Sequence, residues 1–337
     1  MAQEAAHPEA NPIDRVPAAR AKWTAENPDS GDRVFGGQEA DPGEWPFQVA
    51  LLSSGKLDAS PASQGNAQFC GGSLIAPEWV LTAAHCLVSN GAPVAADTIT
   101  VLTEATNLAE GKRYEVAEVI VNENYSEMTL DNDIGLLRLK TAATAPTIAV
   151  AQSRAPESGE TTVTGWGMTD NGTFPNDLME AEIELQPNDA CNAGIKAIYA
   201  RDLGVALRQL SGRMRYTEDG VSEGIAAVAK FMRDPLTDNM ICAGTTSGQR
   251  DACNGDSGGP LFVIGEKGPE QIGVVSWGEG PFDANAACGH ANAYGVYTRL
   301  SNYKDWLAAK MASAPPAKPD AGGTVGAGSG TLQKPKP

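Results

Sequence analysis

The sequence predicts an all-β fold, either a barrel or a sandwich of antiparallel strands. Between residue 34 and about Trp306, short β-type runs alternate with turns rich in Gly, Pro and Asn. This spacing is typical of consecutive hairpins, whereas a βαβ sheet would place a helical pattern after each strand. The clearest predicted strands are Trp45 to Leu52, Thr98 to Leu102, Ile134 to Leu139, Thr161 to Gly165 and Ile272 to Trp277.

Helical spacing interrupts this pattern in two places. The segment from Ser301 to Met311 carries Tyr303, Trp306 and Leu307 on one face, which predicts a C-terminal helix. A longer exception lies between Cys191 and Cys242, where two apolar stripes recur at helical intervals. The stripes are Leu203, Leu207 and Leu210, and Val221, Ile225, Val228 and Met232. We therefore predict a helical insertion at about residues 195–238, made of two short amphipathic helices that pack onto the barrel.

Both ends of the chain differ in composition from its centre. Residues 1–33 are rich in Ala, Pro, Glu and Asp with little periodicity, so we expect a flexible leader. Residues 312–337 are expected to be a disordered tail, and the folded domain to span residues 34–311. No apolar run approaches the ~18 residues needed to span a bilayer, so no membrane span is expected. No secretory signal peptide is visible in this sequence.

Charge and cysteine content limit the class of protein. With 25 basic against 42 acidic side chains the formal net charge is −17, which disfavours nucleic acid as a partner and would mildly attract cationic substrates. The six cysteines form no Cys-x-x-Cys pair, so zinc binding and thioredoxin-type chemistry are not expected. Their even number predicts three disulfides and an oxidising compartment, hence a secreted or periplasmic protein, although counting leaves the pairing open.

The segment from Asp251 to Pro260 contains the clearest candidate nucleophile. It reads Asp-Ala-Cys-Asn-Gly-Asp-Ser-Gly-Gly-Pro, so Ser257 is flanked by Gly255 and Gly258. A nucleophilic serine needs an exposed hydroxyl and nearby backbone N–H groups that can hold an oxyanion. Glycines let the backbone turn sharply and approach a substrate closely. A plain surface turn is the alternative interpretation.

A serine nucleophile requires a base, and the chain has three histidines, His7, His85 and His290. His7 lies in the leader, and His290 follows Cys288 in a stretch of Gly, Ala and Asn that is compatible with a plain surface position. His85 ends an apolar strand at a turn of small residues, immediately before Cys86. We therefore predict that His85 is the base.

The base in turn needs an orienting carboxylate that is held away from bulk water. Asp131 and Asp133 are the two candidates, in the segment Asp131-Asn132-Asp133-Ile134-Gly135. Asp133 directly precedes an apolar run and is therefore expected to be buried, whereas Asp131 suits a turn. Because a buried carboxylate without partners is costly, a role for Asp133 is favoured.

Several further motifs follow one another in a fixed order. They are Val34-Phe35-Gly36-Gly37, Trp45-Pro46-Phe47, Cys70-Gly71-Gly72-Ser73-Leu74-Ile75, Ala83-Ala84-His85-Cys86, Asp131-Asn132-Asp133-Ile134, Gly165-Trp166-Gly167, Gly255-Asp256-Ser257-Gly258-Gly259-Pro260, Val275-Ser276-Trp277-Gly278 and Gly295-Val296-Tyr297. On these motifs the chain resembles the trypsin-like family of serine proteases from Val34 to about Trp306. The order His, Asp, Ser is also that of the chymotrypsin triad.

The resemblance implies two six-stranded antiparallel β-barrels with the catalytic site in the cleft between them. It implies His85 as general base, Asp133 as its orienting group and Ser257 as nucleophile, with the backbone N–H groups of Gly255 and Ser257 as oxyanion hole. It also implies three disulfides and no free thiol. The implied pairs are Cys70–Cys86, Cys191–Cys242 and Cys253–Cys288.

The resemblance further implies cleavage of protein or peptide substrates after Arg, then Lys. Asp251 matches the floor of the primary specificity pocket, where a carboxylate pairs with a guanidinium or ammonium group. Ala252 offers no hydroxyl to a Lys ammonium, which favours Arg. Protein inhibitors are possible further partners. The remaining residues assigned to the substrate site are Ser276, Trp277, Gly278 and Gly295.

Latency before proteolytic activation is also implied. Arg33 precedes Val34 at the position of the family's activation cut, which would create an α-amino group that pairs with Asp256. The peptidase domain would then follow an activation leader of residues 1–33. No metal or cofactor is expected, because Lys112 and Arg113 follow a segment similar to a family calcium loop where a further acidic ligand would be needed. Tyr294 matches a position that accompanies a sodium site in some relatives, although simple space-filling is the alternative.

The main alternative function is a protease-like protein that binds or adheres without cutting. Relatives of that kind usually lack a member of the triad, whereas His85, Asp133 and Ser257 are all present here. Another serine hydrolase, such as an esterase, would need a strand–Gly-x-Ser-x-Gly–helix elbow, which is not apparent in the sequence.

Overall fold

The computed structural model describes residues 11–26, 37–169, 172–248, 252–282, 288 and 290–313. Arg33, Val34 and Asp251, which the sequence singles out, lie outside these ranges, as do His7 and the predicted tail from residue 314 onward. The α-helices are α1 (Pro12–Glu26), α2 (Ser63–Ala67), α3 (Asn188–Met214), α4 (Glu218–Ala229) and α5 (Lys304–Ser313). Short 3-10 turns lie at Ser54–Lys56, Ala84–Cys86, Ala96–Thr98 and Leu300–Asn302.

The described residues contain sixteen β-strands, nearly all of them paired antiparallel. They are β1 (Gln38–Glu39), β2 (Gln48–Ser53), β3 (Gln68–Ala76), β4 (Trp79–Thr82), β5 (Val88–Ser89), β6 (Ala92–Pro93), β7 (Ile99–Thr103), β8 (Lys112–Val121), β9 (Gly135–Leu139), β10 (Ala149–Val150), β11 (Gly159–Gly165), β12 (Met179–Gln186), β13 (Met240–Ala243), β14 (Pro260–Gly265), β15 (Gly268–Gly278) and β16 (Gly295–Arg299).

These strands close into two barrels of six, which confirms the predicted all-β fold. The first barrel runs in the order β2-β3-β4-β9-β8-β7. The second runs in the order β12-β11-β14-β15-β16-β13 and closes because β13 pairs back with β12. The short strand β1 adds to the outer side of β12, and β10 lies parallel to β15.

The pattern of side chains along β12 shows why the strands curl around a core. Its sequence Met-Glu-Ala-Glu-Ile-Glu-Leu-Gln alternates buried apolar residues with more exposed polar ones. Because successive strand residues point to opposite faces, Ala181, Ile183 and Leu185 all enter the second core while the glutamates face outward. The first barrel has a larger core, and its strand β2 is buried along its whole length.

Polar contacts join the two barrels at their interface. The Ser73 hydroxyl donates to Oε1 of Gln271 at 2.6 Å, and the Thr164 hydroxyl donates to Oε1 of Gln48 at 2.7 Å. All four side chains are buried. Since buried polar groups are costly without partners, these pairs favour one relative position of the barrels.

Three disulfides reinforce the loops that surround the barrels. They join Cys70 to Cys86, Cys191 to Cys242 and Cys253 to Cys288, which are the pairs that the resemblance implies, and no free cysteine is found. The Cys70–Cys86 bond closes the turn that follows β4, whereas Cys191–Cys242 closes the base of the helical insertion.

The helical insertion is confirmed, but it is longer than predicted and packs differently. Its first helix, α3, begins at Asn188 and extends for 27 residues. Ile195 near its start lies in an apolar cluster with Tyr294 and Val296 of the second barrel. The second helix, α4, packs against α3, where Gly204 leaves room for Ile225. The expectation that both stripes lie on the barrel is therefore wrong for the outer half of the insertion.

The expectation of a flexible leader is wrong for residues 12–26, which form α1. Asn11 caps the helix by accepting a hydrogen bond from the Ile13 N–H at 2.8 Å, and Pro12 occupies the first helical position. Val16 and Arg20, one turn apart, are only 2% and 3% exposed because α1 lies against β3. Contacts with the barrel thus stabilise a helix that is interrupted by Pro17.

The C-terminal helix α5 returns to the first barrel. Tyr303 and Leu307 lie in the first barrel's core cluster, and Trp306 Nε1 donates to Glu123 at 2.9 Å. Lys310 also contacts the Glu123 carboxylate, and these two donors lower the pKa of Glu123 to about 2. Among the described residues, no helix combines the length and the apolar character that crossing a bilayer requires.

The contact between Thr164 and Gln48 predicts that Thr164→Val destabilises the protein. Valine keeps the shape of the side chain but leaves the buried Gln48 oxygen without its donor. We expect the free energy of unfolding to fall by about 1–3 kcal/mol, measured from the guanidinium midpoint without reductant. Thr162→Val, on the same strand but less buried, is the control; equal losses in the two variants would contradict a role at the barrel interface.

Candidate active site

A cleft of about 840 Å³ lies where the two barrels meet. Residues from both barrels line it, among them His85 after β4 and Ser257 before β14. Loop residues Tyr125 and Leu130, which sequence reasoning did not single out, also line the cleft. The predicted base and the predicted nucleophile thus line the same cleft.

His85 is fixed in the 3-10 turn Ala84–Cys86, whose position is held by the Cys70–Cys86 disulfide. Its Nδ1 atom lies 2.7 Å from Oδ2 of Asp133. Because an ionised carboxylate only accepts hydrogen bonds, this contact requires a proton on Nδ1 and leaves Nε2 of a neutral imidazole with its lone pair. The side chain is 15% exposed, so the ring is accessible from the cleft.

Asp133 is completely buried, and its carboxylate accepts hydrogen bonds from His85 and Ser276, which line the cleft. Its Oδ1 accepts from the His85 backbone N–H at 2.8 Å, and its Oδ2 also accepts from the Ser276 hydroxyl at 2.5 Å. The hydroxyl of Thr298 donates to the Asp133 carbonyl at 2.6 Å. The other candidate, Asp131, accepts instead from Thr237 and Asn239 at the end of the insertion, away from His85.

The loop around Ser257 depends on glycine at two positions. Gly255 has φ +105°, and Gly258 has φ +82° with no room for a Cβ atom, which would lie 2.1 Å from the Thr82 hydroxyl. This compact loop is tied to the first barrel, because the Gly71 N–H donates to the Ser257 carbonyl at 2.8 Å. The Gln68 amide also donates to the Gly255 carbonyl at 2.9 Å. Nothing local in the sequence indicates this role of Gln68, because Gly255 lies 187 residues further along the chain.

Asp256 points away from the cleft into the protein. Its carboxylate accepts from the backbone N–H groups of Gly167 at 2.7 Å and Cys253 at 2.9 Å. Burial nevertheless raises the pKa of Asp256 to about 6, against the opposing effects of these two donors and of the Arg20 charge. A small cavity of about 30 Å³ adjoins this carboxylate, and Gly165, Gly167 and Glu180 are among its walls.

The residues assigned to the substrate site line one wall of the cleft. Ser276, Trp277 and Gly278 end β15 and Gly295 begins β16, and Ala252 lines the same cleft. Asp251 precedes Ala252 but lies outside the described residues. The described residues that the sequence assigns to the substrate site thus line the same cleft as His85 and Ser257.

The insertion touches the rim of this wall. The Tyr199 hydroxyl of α3 donates to Oε1 of Glu279 at 2.9 Å, and the Phe282 N–H donates to Asp202 of α3 at 3.1 Å. The pKa of Glu279 is raised overall, because the effect of burial exceeds that of the hydrogen bond from Tyr199. Neither Tyr199 nor Glu279 was singled out in the sequence, because their proximity follows from the path of α3.

Two further groups of residues do not form a metal site. Cys70, His85 and Cys86 lie close together, but both sulfurs are in a disulfide and are not thiolate ligands. Glu104, in the segment similar to a calcium loop, pairs with the Lys112 ammonium at 2.9 Å.

Two other residues that the sequence analysis considered lie near the substrate site. His290 packs beside Gly280, and Tyr294 is buried among apolar residues.

Comparisons with known proteins agree with this geometry. The family model described as Trypsin matches residues 34–307. Curated relatives include mouse transmembrane protease serine 11C, 31% identical over 83% of this chain and 54% of the relative, and rat vitamin K-dependent protein C, 33% identical over 82% and 51%. Human serine protease 56 is 32% identical over 85% of this chain and 40% of the relative.

The chain spans about half the length, or less, of these relatives. The family match nevertheless covers both barrels and every described residue of the cleft except those of the leader. The chain belongs to the trypsin family of serine proteases.

Proposed function

We propose that the protein is an exported serine endopeptidase that cuts after Arg, then Lys, and that is latent until cleaved between Arg33 and Val34. The observation that carries the proposal is the buried Asp133 carboxylate, 2.7 Å from Nδ1 of a His85 that shares its cleft with Ser257. Three disulfides support export, since such bonds persist in oxidising compartments.

In the first half of the proposed reaction, the Ser257 hydroxyl oxygen attacks the carbonyl carbon of the scissile bond. His85 Nε2 accepts the hydroxyl proton, and the Asp133 carboxylate stabilises the imidazolium that results. The backbone N–H groups of Gly255 and Ser257 bind the oxyanion of the tetrahedral intermediate. His85 then donates its proton to the leaving amine, the peptide bond breaks, and an acyl-enzyme ester on Ser257 remains.

In the second half, water takes the place of the amine. His85 removes a proton from the water as its oxygen attacks the ester carbonyl, and the same oxyanion hole binds the second intermediate. Collapse of this intermediate returns the proton to the Ser257 oxygen and releases the carboxylic acid. Asp133 keeps the imidazole in the required tautomer throughout.

This mechanism predicts a large loss of turnover in Asp133→Asn. The amide keeps the shape of the carboxylate but can donate to Nδ1, which favours the wrong tautomer of His85. We expect kcat for a peptide substrate to fall by about 10⁴-fold with a similar KM, measured after cleavage at Arg33. Asp131→Asn is the matched control and should lose less than about threefold, since it lies outside the cleft.

Labelling with a serine-directed fluorophosphonate separates this function from a binding protein that does not cut. The wild type should be labelled at Ser257, and Ser257→Ala should not. Absence of both labelling and turnover in the activated wild type would contradict the proposal in favour of the non-catalytic alternative.

We attribute specificity for Arg to the carboxylate of Asp251, which precedes Ala252 in the sequence, together with the glycines that line the cleft. Gly278 and Gly295 leave room for a long side chain, and Ala252 gives no hydroxyl that would favour Lys. The planar guanidinium can bind a carboxylate through two parallel hydrogen bonds, which an ammonium cannot do. The net charge of −17 would also attract cationic substrates.

Asp251→Ser should therefore lower kcat/KM for an Arg substrate by roughly 10²- to 10³-fold, because removing one partner of a buried pair leaves the other uncompensated. The measurement compares Arg, Lys and Phe at one position of an otherwise constant peptide amide. The order Arg, Lys, Phe is expected for the wild type. Faster cleavage after Phe than after Arg would contradict the assignment.

Latency is supported by the environment of Asp256. Its raised pKa means that burial disfavours the ionised carboxylate, and an ammonium group would relieve this cost. Gln38 of β1 pairs with Glu180, which lines the small cavity beside Asp256. Val34 lies four residues before Gln38, so its new amino group could lie up to about 14 Å from that strand and reach the cavity.

The pairing has a defined dependence on pH. In the uncut chain, the pKa of Asp256 is higher in the folded state (about 6) than in the unfolded state (about 4). The folded state therefore binds the proton more tightly, and the free energy of unfolding falls as pH rises from about 4 to about 6. After cleavage, the partner raises the pKa of the Val34 ammonium. The stabilisation by this ammonium group is complete below its pKa in the unfolded state, about 8, and is lost as pH rises through its higher pKa in the folded state. Activity should therefore fall at alkaline pH.

Arg33→Gln tests latency directly. A small Arg anilide, which has no residues after the scissile bond, should be cut at less than about 1% of the activated wild-type rate, since a misplaced oxyanion donor alone costs about 10²- to 10³-fold. Sequencing of the activated wild type should give Val34 as new N-terminus. Full activity of Arg33→Gln with its leader attached would falsify latency. Self-processing by the wild type but not by Ser257→Ala would identify autoactivation.

A further inference from the structure

The first turn of α1 lies in the catalytic cleft. Asn11, Pro12 and Arg15 line the same space as His85 and Ser257. The Asn11 amide donates to the carbonyl of Val88, three residues after His85. Arg15 donates to the Asn254 side chain at 3.0 Å, three residues before Ser257. The helix therefore bridges the loops that carry the proposed base and nucleophile.

The side of the cleft that α1 covers can be identified from the opposite wall. In the proposed function the substrate Arg enters beside Gly278 and Gly295, so we assign the acyl part of the substrate to the side of β15, which carries Gly278. The residues after the scissile bond then continue past Ser257, away from β15. Val88, Asn254 and the first turn of α1 also line the cleft but belong to neither β15 nor β16, and we assign them to this leaving-group side.

Arg20 holds the helix in a site shaped for a guanidinium group. Its side chain donates to Oε1 of Gln68 at 2.9 Å and to the carbonyl oxygens of Phe174, Pro175 and Trp166 at 3.1, 3.2 and 3.2 Å. The guanidinium carbon also lies 5.0 Å from the centre of the Phe174 ring. A buried cation is costly unless its donors are satisfied, so this ring of acceptors is a specific receptor for Arg.

The same contacts reach the loop that the reaction needs. Gln68 accepts from Arg20 and donates to the Gly255 carbonyl at 2.9 Å. Val16 packs beside Gly255, since a Cβ atom at that position would lie 3.7 Å from a Val16 methyl group. A helix bound here therefore contacts the proposed oxyanion loop as well as the rim.

We propose that this surface is a binding site for the leader helix, and that α1 remains bound after cleavage at Arg33 as an inhibitor of polypeptide substrates. Residues 1–33 contain no cysteine, so only non-covalent contacts would hold α1 after the cut. The bound helix blocks residues on the leaving-group side and leaves small amides free to react. This inference rests on the proposed peptidase activity, but not on the latency of the uncut chain.

The test uses the full chain cleaved at Arg33, with two substrates for each variant. One is an Arg anilide without residues after the scissile bond, and the other is an internally quenched peptide with five such residues. Arg20→Met removes the anchor. Lys22→Met is the matched control, because Lys22 is exposed on the same helix.

We expect Arg20→Met to raise the ratio of kcat/KM for the quenched peptide to kcat/KM for the anilide at least tenfold over the wild type. Lys22→Met should resemble the wild type. A synthetic peptide of residues 11–26, added to cleaved Arg20→Met, should inhibit the quenched peptide again. The same peptide carrying Arg20→Met should be at least tenfold weaker.

Equal quenched-peptide rates in the three proteins, with no inhibition by the added peptide at millimolar concentration, would overturn the proposal. So would an equal loss of both activities in Arg20→Met, which is the result expected if α1 merely supports the fold. Failure of every cleaved protein on the anilide would contradict the peptidase activity itself, so the two hypotheses can be separated.

Discussion

The buried carboxylate of Asp133 connects the first barrel to the second at the cleft. It receives hydrogen bonds from His85, which follows β4 of the first barrel, and from Ser276 on β15 of the second. Thr298 of β16 binds its carbonyl. One ionisable group without solvent contact thus joins both barrels and orients the imidazole. Its cost of burial is offset only when the barrels take the relative position that creates the cleft.

Asp256 is a buried carboxylate whose ionised form is only partly stabilised. The hydrogen bonds from two backbone N–H groups do not return its pKa to the ordinary range, so burial still disfavours the ionised form. In the described structure, the only charge that is found to lower this pKa belongs to Arg20 of the leader helix. Leader and barrel are therefore coupled electrostatically at the loop that precedes Ser257. This coupling gives a physical reason why processing of the leader would change the geometry of the site.

Much of the site could be predicted because its signals are local. Ser257 lies between glycines that the tight loop requires, and Asp133 precedes an apolar run that buries it. Gln68 could not be found in this way, since its partner Gly255 is 187 residues further along the chain. The outer packing of the insertion was missed for a similar reason: the Ile225 stripe has the same period whether it faces a barrel or α3.

The helix in the leader could not be predicted from hydrophobic periodicity, because Arg20, the residue that holds it against the barrel, is charged. Hydrophobic periodicity cannot recognise a helix face formed by Val16 and Arg20, and Pro17 argues against a helix interior. The start signal was present, however, in the capping Asn11 followed by Pro12. The receptor for Arg20 is built from backbone carbonyls far away in sequence, and their positions are set only by the folded barrels.

In the proposed function, both barrels together build one site for acyl transfer through Ser257. The reaction can be stopped halfway by mixing the activated protein with an aryl ester of a guanidino acid whose acyl-enzyme hydrolyses slowly. A burst of about one equivalent of the phenol is expected, with a matching mass increase on the peptide that contains Ser257. A burst without this adduct, or an adduct on another residue, would contradict it.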